Sequence, residues 1–377
     1  MDEIFRFADD LGPLKVIHVY EPSINLKAVL VVDNIAKGPA IGGMRMAEDV
    51  STRECFRLAR AMTFKNAAAG LPHGGGKIVI YGNPRMPAQN KQQIVRGLAQ
   101  ALRTENTYIF APDMGTDEEC MAWVRDEVER AVGLPREIGG IPLDEIGATG
   151  WGLRHVADVA CRFCDVEVNG ARVVVQGFGA VGRNVSRFLM EKGAVLIAVA
   201  DSRGAVHNPE GLDFDKLTAL KNQASSVADY GDGQPLERDD VIDVECDIWI
   251  PAARPDVIHE DNVHRLKTKL VIEGANIPIT HAAERILYEK SILYVPDFIA
   301  NAGGVICAAM EYHGAGESSA MQTIEEKLRR NTEIVLKTAK EKQILPRDAA
   351  NEMALKRVKK AMSFRRWSSF SSSPNYL

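Results

Sequence analysis

The stretch VVVQGFGAVGRNV, residues 173–185, places Gly177, Gly179 and Gly182 where an apolar run gives way to a helical pattern. A G-x-G-x-x-G run alone constrains little, since glycines also collect in ordinary loops. Between a strand and a helix it constrains much more. The first glycine makes a tight turn, the second lets backbone approach a pyrophosphate, and the third allows the helix to pack on the strand. The helix start adds unpaired N–H groups and the positive end of its dipole. Gly177, Phe178, Gly179, Ala180, Val181 and Gly182 are therefore the candidate dinucleotide cradle. Asp201 ends the next apolar run, 24 positions after Gly177, close to the ~20 at which a carboxylate reaches the ribose hydroxyls. That carboxylate repels the 2′-phosphate of NADP, so NAD is the expected dinucleotide. Arg203 could soften the repulsion, which leaves NADP open.

The fingerprint sits within a longer alternation. ARVVVQG, AVLIAVAD, CDIWIPAA, KLVIEGAN and ILYVPD read as short buried strands, and AVGRNVSRFLMEKG as a helix. Near-continuous apolar strands with helical crossovers predict a parallel sheet covered on both faces. An earlier alternation precedes it. LKVIHVYE and LKAVLVVDN read as strands, STRECFRLARAMTFKNAAA as a helix capped by Ser51, KIVIYG as a strand, KQQIVRGLAQALRTE as a helix and TYIFAPD as a strand. The length of 377 residues exceeds the ~250–300 at which one core stops growing. The expected architecture is α/β with two domains separated by a cleft. Residues 1–140 form a substrate-binding, catalytic and oligomerisation domain, and residues 141–335 a Rossmann NAD-binding domain. The helices of 336–377 are expected to pack back on the first.

A formal net charge of −5 supplies no broad basic field, so nucleic acid is not an expected partner. No run of ~18 apolar residues is present, and no membrane span is expected. The opening MDEIFRFADDLG is acidic and lacks a basic stretch and an apolar run, so no export signal is expected. Six irregularly spaced cysteines fit reduced thiols and a cytoplasmic location. Cys161-x-x-Cys164 has no second pair and lies in a helical run, so no metal site is expected. The serine-rich FRRWSSFSSSPNYL reads as a mobile tail without assigned function.

AMTFKNAAAGLPHGGGKIVI, residues 61–80, sets Lys65 and Lys77 twelve positions apart. A phosphate-binding P-loop fails here twice. Leu71 stands where its first glycine belongs, and Ile78 follows the lysine in place of Ser or Thr. Small apolar neighbours also fit poorly with a solvated charge run. The remaining reading gives the lysines separate tasks, Lys65 as a point charge for a carboxylate and Lys77 as a general base. Burial and a second ammonium nearby would press a lysine pKa downward, which suits that role. The glycines before Lys77 would let a small substrate come close. Asp113, ending a predicted strand, could carry protons to and from a substrate nitrogen; read structurally, it would only pair with Lys77.

GGMRM, MTFKNAAAGLPHGGGK, APDMGT, ATGWG, GFGAVG, EGAN and PDFIANAGGV, taken in order across residues 12–345, resemble the glutamate/leucine/phenylalanine/valine group of amino-acid dehydrogenases. The resemblance implies NAD(P)-dependent oxidative deamination of an L-amino acid to a 2-oxo acid and ammonium, in a homo-oligomer. It also implies roles. Lys65 holds the substrate α-carboxylate, Lys77 activates water, and Asp113 handles protons on the amino nitrogen. Asn276 reaches the substrate carboxylate and the cofactor, Thr149 and Asn301 line the nicotinamide or its substrate contacts, and Ala252 belongs to the cofactor-binding set. Gly42, Gly43 and Met44 belong to the substrate-facing stretch.

Two positions depart from the glutamate-acting members, which resemble K-G-G-[LM]-R and carry a serine after the second asparagine motif. Here Ile41 and Ala308 occupy those positions. The expected side-chain pocket, formed by Ile41, Ala111, Val305 and Ala308, is therefore apolar and leucine-type, for leucine, valine, isoleucine or an aromatic residue. EGANIPIT and APDMGT nevertheless resemble the glutamate-acting branch. Glutamate therefore stays open as an alternative substrate. From another class, a non-catalytic nucleotide-binding relative also stays open.

Overall fold

LKVIHVYE and LKAVLVVDN, rich in Val, Ile and Leu, form the first two strands, β1 (Lys15–Glu21) and β2 (Leu26–Asn34). The computed structural model describes residues 5–364, and the serine-rich run from residue 365 lies outside them. Among the described residues two units are present: 5–142 with 305–320 and 351–364, and 143–304 with 321–350.

The first unit continues with β3 (Ala40–Ala47), α1 (Thr52–Ala68), β4 (Gly74–Tyr81), α2 (Ala88–Ala101), β5 (Tyr108–Pro112) and α3 (Glu118–Val128). Its sheet runs β1-β2-β4-β3-β5. The β1–β2 and β2–β4 pairs are antiparallel, and β3 lies parallel to both β4 and β5. Alternation sorts the side chains onto two faces. Met44, Met46, Ile78, Ile80, Tyr108 and Phe110 pack against α2 and α3, whereas Val29, Val31 and Val79 pack against Cys55, Phe56 and Ala59 of α1. Ser51 caps α1 as expected, its hydroxyl accepting the Glu54 N–H at 3.1 Å.

Strand β3 is absent from the sequence reading because Gly42-Gly43 break the apolar alternation. The same glycines make it a central strand. A Cβ on Gly42 would collide with the Gly76 carbonyl and crowd the Tyr108 hydroxyl at 3.1 Å. The glycines ahead of Lys77 differ from expectation. A Cβ on Gly75 would strike the Thr63 backbone of α1, and one on Gly76 would stand 2.9 Å from the Tyr108 ring. Gly75 brings sheet and helix together and Gly76 admits the Tyr108 ring, so their bareness is filled by protein and is not room for a substrate.

The second unit contains α4 (Ala148–Ala160), β6 (Arg172–Gln176), α5 (Ala180–Met190), β7 (Val195–Ala200), β8 (Ala205–His207), α6 (Phe214–Asn222), β9 (Gln234–Leu236), β10 (Ile248–Pro251), β11 (Leu270–Ile272), α7 (His281–Glu289) and β12 (Leu293–Val295). Beyond these come α8 (Asp297–Ala300), α9 (Gly303–Tyr312), α10 (Glu317–Lys342) and α11 (Pro346–Ser363). The sheet order is β12-β11-β10-β6-β7-β8-β9. The five strands β6, β7, β10, β11 and β12 are parallel, but β8 and β9 are antiparallel. Only four residues join β7 to β8, too few for the crossover that a parallel pair requires. The order departs from β6 in both directions, so a topological switch point lies between β6 and β10, where open α/β sheets bind ligands.

Candidate active site

Strand register assembles the first cluster. Gly43 lies opposite Ala111, Ile41 opposite Gly75 and Ile109, and Val31 opposite Lys77. Paired positions share a face, so Ile41, Gly43, Lys77 and Ala111 all project to the α1 side. Asp113 follows the end of β5, and its carboxylate forms an ion pair with the Lys77 ammonium. A Cβ on Gly43 would lie 2.7 Å from Asp113 Cβ and 3.0 Å from Lys77 Nζ. The missing side chain at position 43 is the space in which the pair sits.

The pair is held by residues to which the sequence reading gave no role. Arg45 Nη2 stands 3.5 Å from Asp113 Oδ1 while its Nη1 binds Glu54 at 2.6 Å. Thr116 Oγ1 accepts the Asp113 N–H at 3.0 Å and donates to the Met44 carbonyl at 2.7 Å. The Met114 N–H donates to Asp113 Oδ1 at 2.6 Å. Burial pushes the Asp113 carboxyl upward, but Lys77 and Arg45 outweigh it and hold the group below its ordinary value of 3.8. Period-two spacing from Gly43 pointed to Arg45, and a threonine three residues after an aspartate is a turn signal. Neither mark assigns a role until β3 and β5 stand side by side.

The other expected substrate residues are distributed as follows. Ile41 is buried on the Lys77 face, and Ala111 is half-buried beside Gly43. Gly42 and Met44 point to the opposite face, where Met44 belongs to the apolar core. Lys65 lies half-buried in the last turn of α1. Val305 and Ala308 lie on α9. The end of α9 is fastened by Glu311, which accepts the N–H groups of Leu134 at 3.1 Å and Ile141 at 2.9 Å. His313, just beyond it, meets His73 Nε2 to Nε2 at 3.0 Å.

The second cluster surrounds the switch point. Gly177 has φ +104, a left-handed value that favours glycine. Its absent Cβ would meet the backbone of Ala252 and Ala253 at 2.7–2.8 Å, which brings Ala252 to the fingerprint turn. Gly182 packs so closely on that turn that a Cβ would strike the Gly177 carbonyl. Gly179 is different: nothing lies within 4 Å of its missing Cβ, so backbone at the start of α5 is open to a ligand. This donor set fits a dinucleotide pyrophosphate. Phe178 is buried and Ala180 and Val181 are half-buried at the helix start.

Asp201 directly follows β7, but its oxygens are engaged internally. They accept from Lys221 Nζ at 2.7 Å, Ser226 Oγ at 2.9 Å, Arg203 N at 2.9 Å and Val227 N at 3.0 Å. Burial opposes ionisation, yet these donors hold the carboxyl at about 2. Asn276 is exposed in the loop after β11, and Asn301 Nδ2 donates to Asn276 Oδ1 at 3.2 Å and to the Ala275 carbonyl at 3.0 Å. Thr149 begins α4, its Oγ1 3.4 Å from the Cβ that Gly304 lacks. Among the described residues no helix is long and apolar enough to cross a membrane.

Two family models match this chain: "Glutamate/Leucine/Phenylalanine/Valine dehydrogenase" over residues 139–366, and "Glu/Leu/Phe/Val dehydrogenase, dimerisation domain" over residues 18–130. Among curated proteins, a glutamate dehydrogenase of Aeropyrum pernix is 36% identical over 359 residues, covering 89% of this chain and 85% of that one. An NAD-specific glutamate dehydrogenase of Staphylococcus aureus is 34% identical over 352 residues with the same coverage. Among solved structures, the hetero-hexameric glutamate dehydrogenase of Thermus thermophilus in its Leu-bound form aligns with TM-score 0.85 at 28% identity, covering 94% of this chain and 91% of that one. The L-tryptophan dehydrogenase of Nostoc punctiforme shares the fold, with TM-score 0.72 at 24% identity over 93% and 97% of the two chains.

Proposed function

The chain belongs to the glutamate/leucine/phenylalanine/valine dehydrogenase family, oxidoreductases acting on a CH–NH2 group. On that premise we propose that it catalyses the reversible NAD-linked oxidative deamination of an L-amino acid to a 2-oxo acid and ammonium. The observation that carries the proposal is the Lys77–Asp113 pair, closed over the bare Cα of Gly43 at the end of a sheet.

Gly177 to Gly182, Ala252, Thr149 and Asn301 are the residues that would hold the dinucleotide. When bound, NAD accepts the hydride from the substrate Cα. Lys65 supplies a point charge for the α-carboxylate. Asp113, ionised by its cationic neighbours, takes a proton from the substrate ammonium so that the nitrogen lone pair is free to form the imine. The Lys77 ammonium gives its proton to solvent and, as the free amine, takes one from water as the water attacks the imine carbon. Asp113 returns its proton to nitrogen, and as ammonia leaves, the carbinolamine hydroxyl passes its proton to it, so that the carbonyl and ammonium form together. NAD is favoured over NADP by the S. aureus relative's name and by the carboxylate at position 201, although Asp201 acts through Lys221 and Ser226 rather than as an open oxygen.

The relatives' names make glutamate the better-supported substrate. A second reading, an apolar side chain, rests on the substitutions at positions 41 and 308. Ile41 is 1% exposed and Ala308 is buried, and a γ-carboxylate set beside them without a donor would lose several kcal/mol. NADH formation from glutamate, leucine, valine and phenylalanine at equal concentration separates the readings. Preference for glutamate overturns the apolar pocket, and preference for leucine or phenylalanine overturns the inference from kinship. Nucleotide binding without turnover on any of them would mark a non-catalytic relative.

Assembly and compartment belong to the same proposal. The "dimerisation domain" match over residues 18–130 supports self-association into a homo-oligomer. Six free thiols suit a reducing cytoplasm.

A further inference from the structure

Four elements of the second unit converge on one guanidinium. Arg347, in the first turn of α11, reaches Glu284 on α7, Asp297 Oδ1 after β12 at 3.0 Å, and Glu273 Oε2 after β11 at 3.1 Å. Both glutamates are fully buried and Asp297 is nearly so. The planar fork of arginine can serve three acceptors at once, which the single point of a lysine ammonium cannot.

The acids continue into the loop that carries Asn276. Glu273 Oε2 also accepts the Asp297 N–H at 3.1 Å, and Asp297 Oδ2 accepts the Ile277 N–H at 2.9 Å. Ile277 has φ +49, a left-handed conformation that a β-branched residue adopts only when held. The Asp297 carbonyl accepts the Asn301 N–H at 2.7 Å, and Asn301 Nδ2 ties back to Ala275 and Asn276. Asn301 Oδ1 is buried without a hydrogen-bond partner, an acceptor left for a donor that the protein does not supply.

We infer that Arg347 is a positioning residue, holding Asn276 and Asn301 in place through Glu273 and Asp297. The inference rests on the reading of those asparagines as substrate- and nicotinamide-facing. Arg347 itself touches neither.

The test compares affinity for NADH with affinity for ADP-ribose, which lacks the nicotinamide and draws only on the fingerprint side of the site. Arg347→Met is expected to weaken NADH at least fivefold while ADP-ribose stays within twofold. Its kcat/KM for the amino acid should fall at least tenfold, and Arg347→Lys should recover part of both losses. Asp297→Asn, which keeps the cation and the side-chain volume, serves where Arg347→Met folds poorly and should move the same ratio in the same direction. Unchanged NADH affinity in both variants overturns the inference. So does a parallel loss of NADH and ADP-ribose, which is the signature of a structural role only. Because the ratio is read without turnover, an inactive wild type would count against the proposed reaction and not against the positioning role.

Discussion

A Cβ on Gly43 would press on Asp113 at 2.7 Å and on Lys77 at 3.0 Å, so this position decides whether the pair can close. Gly43→Ala is expected to lower kcat at least tenfold and to destabilise by about 1–3 kcal/mol, the usual range for overpacking. Steady-state kinetics and denaturant unfolding check the two parts separately. Asp113→Asn carries a pH signature. The folded Asp113 titrates below its ordinary 3.8, so its ionised form contributes stability above that value and loses it as pH falls through the depressed one. The deficit of Asp113→Asn against wild type should be full at pH 7 and shrink below pH 4 in acid-unfolding curves. The pairing of Lys77 with Asp113 was legible from residue type and neighbours. Arg45 and Thr116 were not assigned, because their part is to orient an acid, and that shows only once β3 and β5 are side by side.

Elements explain what the pattern of residues missed. β3 escaped notice because two glycines replace its alternating side chains, and those glycines allow it to lie between β4 and β5. The fingerprint was legible for the opposite reason, since a strand, three spaced glycines and a helix each announce themselves. Its glycines make different predictions. Gly179→Ala meets nothing within 4 Å, so it should fold like wild type yet bind NADH at least tenfold more weakly, because its methyl occupies the approach of the pyrophosphate. Gly182→Ala collides with the turn and should lose stability as well. Binding titrations paired with thermal melts distinguish them.

The link between β4 and α9 responds to acid. Because His73 Nδ1 faces the Pro39 carbonyl at 3.1 Å, it carries the proton, and His73 Nε2 must accept from His313 Nε2–H. Burial, and the neighbouring His313 and Lys37, lower His73 to about 4 from 6.5. The unfolded chain therefore takes up the proton first. The stability that neutral His73 contributes is complete above pH 6.5 and declines as pH drops toward 4. Melting temperatures at pH 7.5 and pH 5 should differ less in His73→Gln than in wild type.

At the scale of the whole molecule, two α/β units and the family were legible because seven motifs occur in order along one chain. The antiparallel strands β8 and β9 were not, since AVH and QPL lack the apolar run that marks the equally short β11 and β12. Side-chain specificity also resisted, because Ile41 and Ala308 speak for one substrate and the relatives' names for another. Self-association predicts a solution mass that is a multiple of 41.3 kDa, measured by light scattering on a sizing column. The central claim is that Lys77 and Asp113 run an NAD-linked deamination. It is tested most directly by NADH production from the preferred amino acid in wild type and Lys77→Ala, with NADH affinity measured alongside. The account predicts turnover in wild type, a drop in kcat of about 10²–10⁴-fold in the variant, and NADH affinity unchanged within twofold. Near-normal deamination by Lys77→Ala would contradict it.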